Sequence, residues 1–330
     1  MSGAEERSAV GAERPGPIAA GSATDYDALR TTAAARVIGR DVLSVSGADA
    51  TEYLQGQCSQ DVTALADGDS AEALLLSPQG KIEVYLRLTK LGDQQFLIDT
   101  DEGFGSVATA RLERFRLRMK VDIEPRDWIC VGVRGPRIDQ HLVGKPAAAP
   151  PVGWPGLTGV DLLGPAPSGG LSEWIDDDVV RCGPEAWEAA RIEAGVPVNG
   201  REIVEGTIAA EVGLVERTVS FTKGCFTGQE LVARLDARGS KVARRLSGVV
   251  FEGSAEPAAS WVGGSVSTTD EAHEVGRLSS VAWSPGLGAH VALATLHRRV
   301  TPPEAVVVRW AGSDRTRTVP AESRPLPLVG

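Results

Sequence analysis

Ten residues constrain this chain most: Phe221-Thr222-Lys223-Gly224-Cys225-Phe226-Thr227-Gly228-Gln229-Glu230. Gly224 and Gly228 frame a cysteine set between a lysine and an aromatic, and Gln229 opens a helix predicted to run to Asp236. A glycine-framed turn brings backbone close to whatever it faces, because glycine accepts dihedrals that other residues resist. The run is not a P-loop, which ends in Gly-Lys-Ser/Thr where this one has Gly-Gln-Glu. A thiol beside Lys223 and near a helix N-terminus has two sources of thiolate stabilisation. The competing reading is packing, since free cysteines are commonly buried and inert. As a nucleophile Cys225 would need a base brought to it by folding, because His141, His273, His290 and His297 are all distant in sequence.

With 330 residues the chain is too long for one ordinary core and suits two or three modules. Its net charge of −10 disfavours nucleic-acid or anionic-membrane binding as a general property, although one segment runs against it. Between Lys223 and Arg245, six cations (Lys223, Arg234, Arg238, Lys241, Arg244, Arg245) face two anions (Glu230, Asp236), a local +4. Such a patch would steer an anionic ligand tail or a phosphate, or simply be a solvated edge. At 5% aromatic residues the sequence shows no basic stripe interleaved with rings, so RNA stacking has little support. No apolar run has the length of a membrane span, and Met-Ser-Gly-Ala-Glu-Glu lacks a signal peptide's basic and apolar regions, so a cytoplasmic location is expected. Cys58, Cys130, Cys182 and Cys225 form no Cys-x-x-Cys, so reduced thiols and no bound metal are expected.

Residues 1–25, rich in Ala, Gly, Glu and Pro, read as a disordered arm. Residues 26–150 read as a first α+β module. A helix starts at Ser46–Asp49 and stops at Gly56; a meander follows through Leu74–Leu76, Ile82–Leu88 and Gln95–Ile98; Phe104–Arg118 is helical; strands resume at Val121–Ile123 and Trp128–Val133. Lys145–Pro155 reads as a Pro-rich connector. Residues 151–240 read as a second α+β module, with a helix from Pro184 to Gly195 and a long irregular run over 196–228, a length that is usually functional or disordered. Residues 241–330 carry six short predicted strands joined by Gly and Pro turns, the pattern of a small barrel, with a frayed tail from Pro325.

The octapeptide Lys223–Glu230 closely resembles the signature of the YgfZ branch of the YgfZ/GcvT folate-binding family. The runs Gln57–Val62, Arg191–Pro197, Gly206–Leu214 and Val219–Phe221 resemble the same family, in its order, and the resemblance covers roughly Ala33 to the C-terminus. It implies two α+β modules and a C-terminal barrel around a central hole that holds tetrahydrofolate. It also implies an accessory role in assembling or repairing iron–sulfur client enzymes, some of which modify tRNA, with Cys225 as a functional thiol.

The folate contacts expected on this resemblance are Lys223, Gly224, Phe226, Gly228, Gln229 and Glu230 of the turn, with Tyr85 and Arg234. A carboxylate can clamp the donor–donor edge of a pterin, which nominates Glu193 and Asp61, although each is equally a candidate surface carboxylate. Glycine-cleavage aminomethyltransferases carry an Asp-Asp pair in the strand that here reads Gly80-Lys81-Ile82-Glu83-Val84-Tyr85-Leu86, and Val84 and Tyr85 fall on that pair. Neither supplies a carboxylate, and Glu83 lies on the opposite strand face. Val160 likewise stands where those enzymes place a Glu, leaving Asp161 as a substitute clamp. Two rivals remain: a folate-dependent one-carbon transferase or demethylase, and a thiol redox protein without folate.

Overall fold

The structure is a computed structural model that describes residues 20–236, 241–252, 258–270, 273–311 and 316–329. The chain runs α1 (Ala20–Thr31), β1 (Ala34–Ile38), β2 (Arg40–Ser46), α2 (Ala50–Gln57), β3 (Ser70–Leu76), β4 (Ile82–Gly92), β5 (Gln95–Asp101), α3 (Gly105–Arg116), β6 (Asp122–Arg126) and β7 (Ile129–Arg134). It continues through β8 (Pro151–Trp154), β9 (Leu157–Gly164), β10 (Val180–Arg181), α4 (Pro184–Ala194), α5 (Val215–Thr218) and α6 (Gln229–Asp236). The last strands are β11 (Arg244–Phe251), β12 (Ser265–Thr268), β13 (Glu274–Ser284), β14 (Ala289–His297), β15 (Glu304–Ala311) and β16 (Thr316–Arg324).

These strands make an α+β fold with a closed barrel. One five-stranded sheet has the order β3-β4-β5-β2-β6, all antiparallel. Its strands alternate, as the sequence pattern of β4 requires. Val84, Leu86 and Leu88 pack beneath α2 and α3 against Leu54 and Leu112, while Tyr85 and Arg87 point to the other face. The second five-stranded sheet has the order β10-β1-β7-β9-β8, with β1 and β10 parallel. The chain therefore enters this sheet at β1, leaves it for the first sheet, and returns at β7. The barrel order is β11-β14-β13-β12-β15-β16, closed by pairing of β16 with β11. Val249, Phe251, Trp261, Val266, Val308 and other apolar side chains fill it.

Helix α4 joins the parts. Pro184 starts it, and Gly195 ends it in the left-handed region at φ +72°. Ala189, Ala190 and Ile192 are fully buried between α1, the second sheet and barrel strands β13 and β14. A helix enclosed on nearly all sides needs small apolar residues, and its Ala-rich sequence supplies them.

Four expectations are corrected. Of the disordered arm expected over 1–25, residues 1–19 lie outside the described residues, and the remainder is helical from Ala20. Gly56 does not stop α2, which continues to Gln57 and ends at Cys58 in extended geometry. The Pro-rich connector contributes the edge strand β8, with Pro151 at its first residue, where a missing N–H is tolerated. The C-terminal tail is not frayed: Leu326 and Leu328 pack against the α4 cluster, and the Leu328 N–H donates to the Glu193 carbonyl at 2.7 Å. Among the described residues no helix is long and apolar enough to cross a membrane.

Candidate functional site: a central cavity walled by paired charges

A cavity of about 580 Å³ lies where the two sheets, α4 and the chain after it converge. Strand β4 contributes Tyr85 and Arg87, β5 contributes Asp101, β7 Arg134, β8 Trp154, β9 Asp161, and α4 Trp187, Glu188 and Arg191.

A ladder of ion pairs spans the two sheets along this wall. Arg40 donates to Asp99 at 2.9 Å, Arg87 donates to Asp99 at 3.0 Å and to Asp161 at 2.9 Å, and Arg134 forms an ion pair with Asp161 at 2.8 Å. All but Arg40 are buried. Burial opposes the charge on Asp161, but Arg134, then Arg87 and Arg40, hold its pKa down at about 2. Burial likewise opposes the Arg87 charge, and Asp99 and Asp161 more than offset it. The Arg134 guanidinium lies over two indoles that meet edge-on, 4.6 Å from the Trp154 ring centre and 4.9 Å from that of Trp187. Gly132 makes room for this, since a Cβ there would lie 2.7 Å from the Trp187 ring.

The far wall is the start of the irregular run. Asn199 accepts the Tyr85 N–H at 3.0 Å and donates to the Tyr85 carbonyl at 2.8 Å and to Asp101 at 2.9 Å. It thus occupies both backbone groups of Tyr85 as a neighbouring strand would. Arg191 fixes the loop from α4 through Glu202 at 3.2 Å, and it donates to Glu188 at 3.0 and 2.7 Å. Burial works against ionisation of Glu188, but Arg191 and then Arg201 hold its pKa low.

The 221–230 turn lies elsewhere. Phe226 is buried with Leu74, Leu76, Ile82 and Val232 on the face of the β3–β4 hairpin that also carries Tyr85. Gly228, at φ +83°, approaches the hairpin turn so closely that a Cβ would lie 2.5 Å from the Ser77 carbonyl oxygen. Buried Lys223 gives its ammonium to the carbonyls of Gln55, Cys58 and Gln60 at 2.6, 2.7 and 2.8 Å. Cys225 is exposed, whereas Cys58, Cys130 and Cys182 are buried. Burial pushes the Cys58 and Cys182 thiols up to about 12 and that of Cys130 well above its ordinary value.

The residues singled out from sequence therefore separate into groups. Tyr85 lines the central cavity. Lys223, Gly224, Cys225, Phe226, Gly228, Gln229 and Glu230 do not line it, contrary to the expectation that the turn would contact a ligand there. Asp61 stands near the turn, where Gln55 and Thr63 both donate to its Oδ1, and the Thr63 hydroxyl first among them lowers its pKa. Glu193 is no surface carboxylate and no clamp: it is fully buried and holds Tyr26, Arg30 and Ser284 together behind α4. Asp161 lines the cavity, but its oxygens are taken by Arg87 and Arg134. Arg234 is exposed beside Glu230 at 3.8 Å. Arg238 of the basic segment lies outside the described residues.

Sequence reading missed Arg36, Glu72, Trp154, Trp187 and Asn199, all in the cavity lining. One signal for Asn199 was available, because it sits four residues past the helix-ending glycine in a run too long to be a mere connector.

Two sheets that meet at a charged, ring-lined cavity, with a closed barrel behind α4, make the architecture of the aminomethyltransferase fold. Glycine cleavage system aminomethyltransferase T from Bartonella henselae superposes with a TM-score of 0.77 at 20% identity, over 93% of this chain and 89% of that one, a likeness of fold alone. The chain is 30% identical over 230 residues to the tRNA-modifying protein YgfZ of Pectobacterium atrosepticum, spanning 64% of this chain and 69% of that protein. It is 30% identical over 208 residues to an uncharacterized protein of Haemophilus influenzae (60% and 67%), and 29% over 220 residues to tRNA-modifying protein YgfZ of Escherichia coli O157:H7 (60% and 65%). No family model matches it. The chain belongs to the YgfZ/GcvT family, on the YgfZ side.

Proposed function

We propose that this protein binds a reduced folate in the central cavity and acts as a cytoplasmic accessory factor for iron–sulfur enzymes, including ones that modify tRNA, without catalysing aminomethyl transfer itself. One observation carries the second half. Five carboxylates line the cavity, and Glu72, Asp101, Asp161 and Glu188 are each bound to an arginine. Arginines hold the pKa values of Asp161 and Glu188 low, which makes these two weak proton acceptors, whereas a catalytic base works best with a pKa near the operating pH. Val84, on the position of the enzyme's Asp pair, is fully buried in the apolar core beneath α2 and α3.

The cavity suits a flat, polar ring with an anionic tail. Its volume lies within the roughly 300–1,000 Å³ usual for small-molecule sites. Trp154 and Tyr85 both line it with rings, and Arg36 and Arg201 supply cations. Bound tetrahydrofolate would supply a carrier for one-carbon units. The protein's part would be to hold the ring against Trp154 and Tyr85 and to exclude water. Equilibrium dialysis with tetrahydrofolate tests this: saturable binding is expected, weakened about tenfold by Trp154→Ala, as loss of one stacking partner implies. Absence of saturable binding below about millimolar would overturn it.

The exposed Cys225 is the second element of the reading. It lies in the turn that carries the family resemblance, away from the cavity, where a partner protein has access to it.

A further inference from the structure

A second groove, of about 880 Å³, is lined by α3 and by the chain that follows Asn199. Val107, Ala110, Arg111 and Arg114 stand three and four residues apart along α3 and so share one face of it. Ile203, Val204 and Glu205 supply another wall, and Ser77 and Lys81 come from the β3–β4 hairpin turn. Asn199 lines both this groove and the central cavity, which makes it the wall between them.

Two features set the groove apart. The first is exposed apolar surface. Val107 is 42% and Val204 52% exposed, and they come from different walls of one depression. Single scattered exposures need no explanation, but apolar side chains gathered in a depression do. The second is unspent positive charge. Arg111 is buried and committed: it pairs with Glu83 at 2.6 Å and donates to Gln57 at 2.9 Å and to the Leu76 carbonyl at 3.1 Å. The side chains of Lys81 and Arg114 have no partner among the described residues. The basic character continues past the helix end. Arg118 and Lys120 are exposed, and Leu117 before them is 87% exposed at φ +47°, a backbone region that residues other than glycine rarely take. Against these cations the groove sets Glu205, since Glu83 is neutralised by Arg111.

The groove also adjoins the Cys225 turn. Ser77 lines the groove, and the same hairpin turn meets Gly228, where a Cβ would lie 2.5 Å from the Ser77 carbonyl oxygen.

We propose that this groove docks a protein partner, through a segment of that partner in which aliphatic side chains stand next to carboxylates. The aliphatic part covers Val107 and Val204, and the carboxylates meet Lys81 and Arg114. The inference deepens the accessory-factor reading above, on which it rests for the existence of a client protein, and it is independent of folate. It sets the client beside the hairpin on which the Cys225 turn is packed. A small molecule fits less well, because the exposed valines leave the groove open and the cations run on beyond it to Lys120. RNA fits less well, because the groove's one ring, Phe104, is packed against the core of the first sheet and bases would find no stacking platform.

Panning a phage-displayed library of random peptides against the full chain, with counter-selection on Arg114→Glu, is the test. Wild type should select peptides that combine aliphatic residues with Asp or Glu. By fluorescence anisotropy these should bind Arg114→Glu and Val204→Asp about tenfold more weakly. Both positions are exposed, so the variants should melt with wild type. Val143→Asp, at an exposed apolar residue outside the groove, should bind the peptides unchanged. Failure to select any peptide, or selected peptides that bind both groove variants as well as wild type, overturns the docking groove. Loss of binding in Val204→Asp, with full support of iron–sulfur enzymes by that variant in vivo, leaves the groove standing and overturns the client reading. Saturable binding of a short single-stranded RNA, abolished by Arg114→Glu, assigns the face to nucleic acid and also overturns the proposal.

Discussion

Lys223 Nζ lies 2.7 Å from the carbonyl oxygen of Cys58, and the carbonyls of Gln55 and Gln60 complete its shell. Two of these carbonyls belong to the last turn of α2 and its cap, where a helix presents unsatisfied acceptors and the negative end of its dipole. The Lys223 side chain is therefore a helix C-cap supplied from 165 residues away along the chain. It fixes the Cys225 turn to the first sheet, and its charge is taken up by backbone oxygens.

Lys223→Met should therefore destabilise the protein by about 2 kcal/mol, since it removes charge-assisted hydrogen bonds and leaves their acceptors short of a partner. The melting temperature should fall by several degrees, and alkylation of Cys225 should change in rate as the turn loosens. Lys223→Arg should recover part of both. A melting temperature unchanged within a degree would show that the tether contributes nothing.

The Asp161 pairing sets an acid limit. Its pKa falls from 3.8 to about 2 on folding, so the folded state binds fewer protons than the unfolded state between those values. Stability is then fully present above about pH 4 and is lost as pH drops towards 2, by about 2 kcal/mol from this group. Urea titrations at pH 5, 4, 3 and 2 read that slope. Asp161→Asn should flatten it, while costing about 3–5 kcal/mol at neutral pH because Arg87 and Arg134 lose their shared partner in a buried site. An unaltered slope in the variant would assign the acid transition to other carboxylates.

Much of this architecture was written in local pattern. The alternation in Ile82–Leu88, the Pro184 and Gly195 boundaries of α4 and the spacing of the barrel strands follow from side-chain period and backbone chemistry, and the structure has them within a few residues. The cavity was not legible in the same way. Arg87, Asp99, Asp161 and Arg134 lie on four strands of two sheets, and nothing local says that they will meet. Trp154 sat in a proline-rich stretch that reads as a linker, and only pairing of β8 with β9 turns it towards Arg134. Glu193 was nominated because it is a carboxylate in a run resembling the family. Its burial depends on α1, whose Tyr26 and Arg30 lie more than 160 residues upstream.

Aminomethyltransferase activity should be absent. Of the two positions that fall on the enzyme's Asp pair, Tyr85 faces the cavity, with a hydroxyl that burial and the nearby Glu72 push to a higher pKa, and Val84 is enclosed in the core. Loss of a positioned acid or base typically lowers a rate about 10²–10⁴-fold. A reconstituted glycine-cleavage assay should therefore show turnover at or near background. Tyr85→Asp is the complementary variant, and turnover by wild type at ordinary aminomethyltransferase rates would overturn the reading.

Substitution of Cys225 should separate chemistry from folding. The residue is exposed, and no part of its turn lines the central cavity, so Cys225→Ala should cost no more than about 1 kcal/mol and Cys225→Ser less. Folate binding in the central cavity should survive both changes. Function in vivo should not, because a serine hydroxyl lacks the nucleophilicity and redox chemistry of a thiol. The same substitutions at Cys58, Cys130 and Cys182 should reverse the pattern. Each is buried and its thiol is held protonated by that burial, so Cys→Ala there should cost stability by opening a small cavity while leaving activity largely in place. Complementation of a strain lacking its own homologue, scored by iron–sulfur enzyme activity alongside thermal melts and folate dialysis of each purified variant, reads all three quantities. Full complementation by Cys225→Ala would reduce the thiol to a surface residue and leave the folate site as the functional centre. Failure to complement, with melting and folate binding intact, would assign the loss to Cys225 chemistry at the turn that Lys223 holds in place.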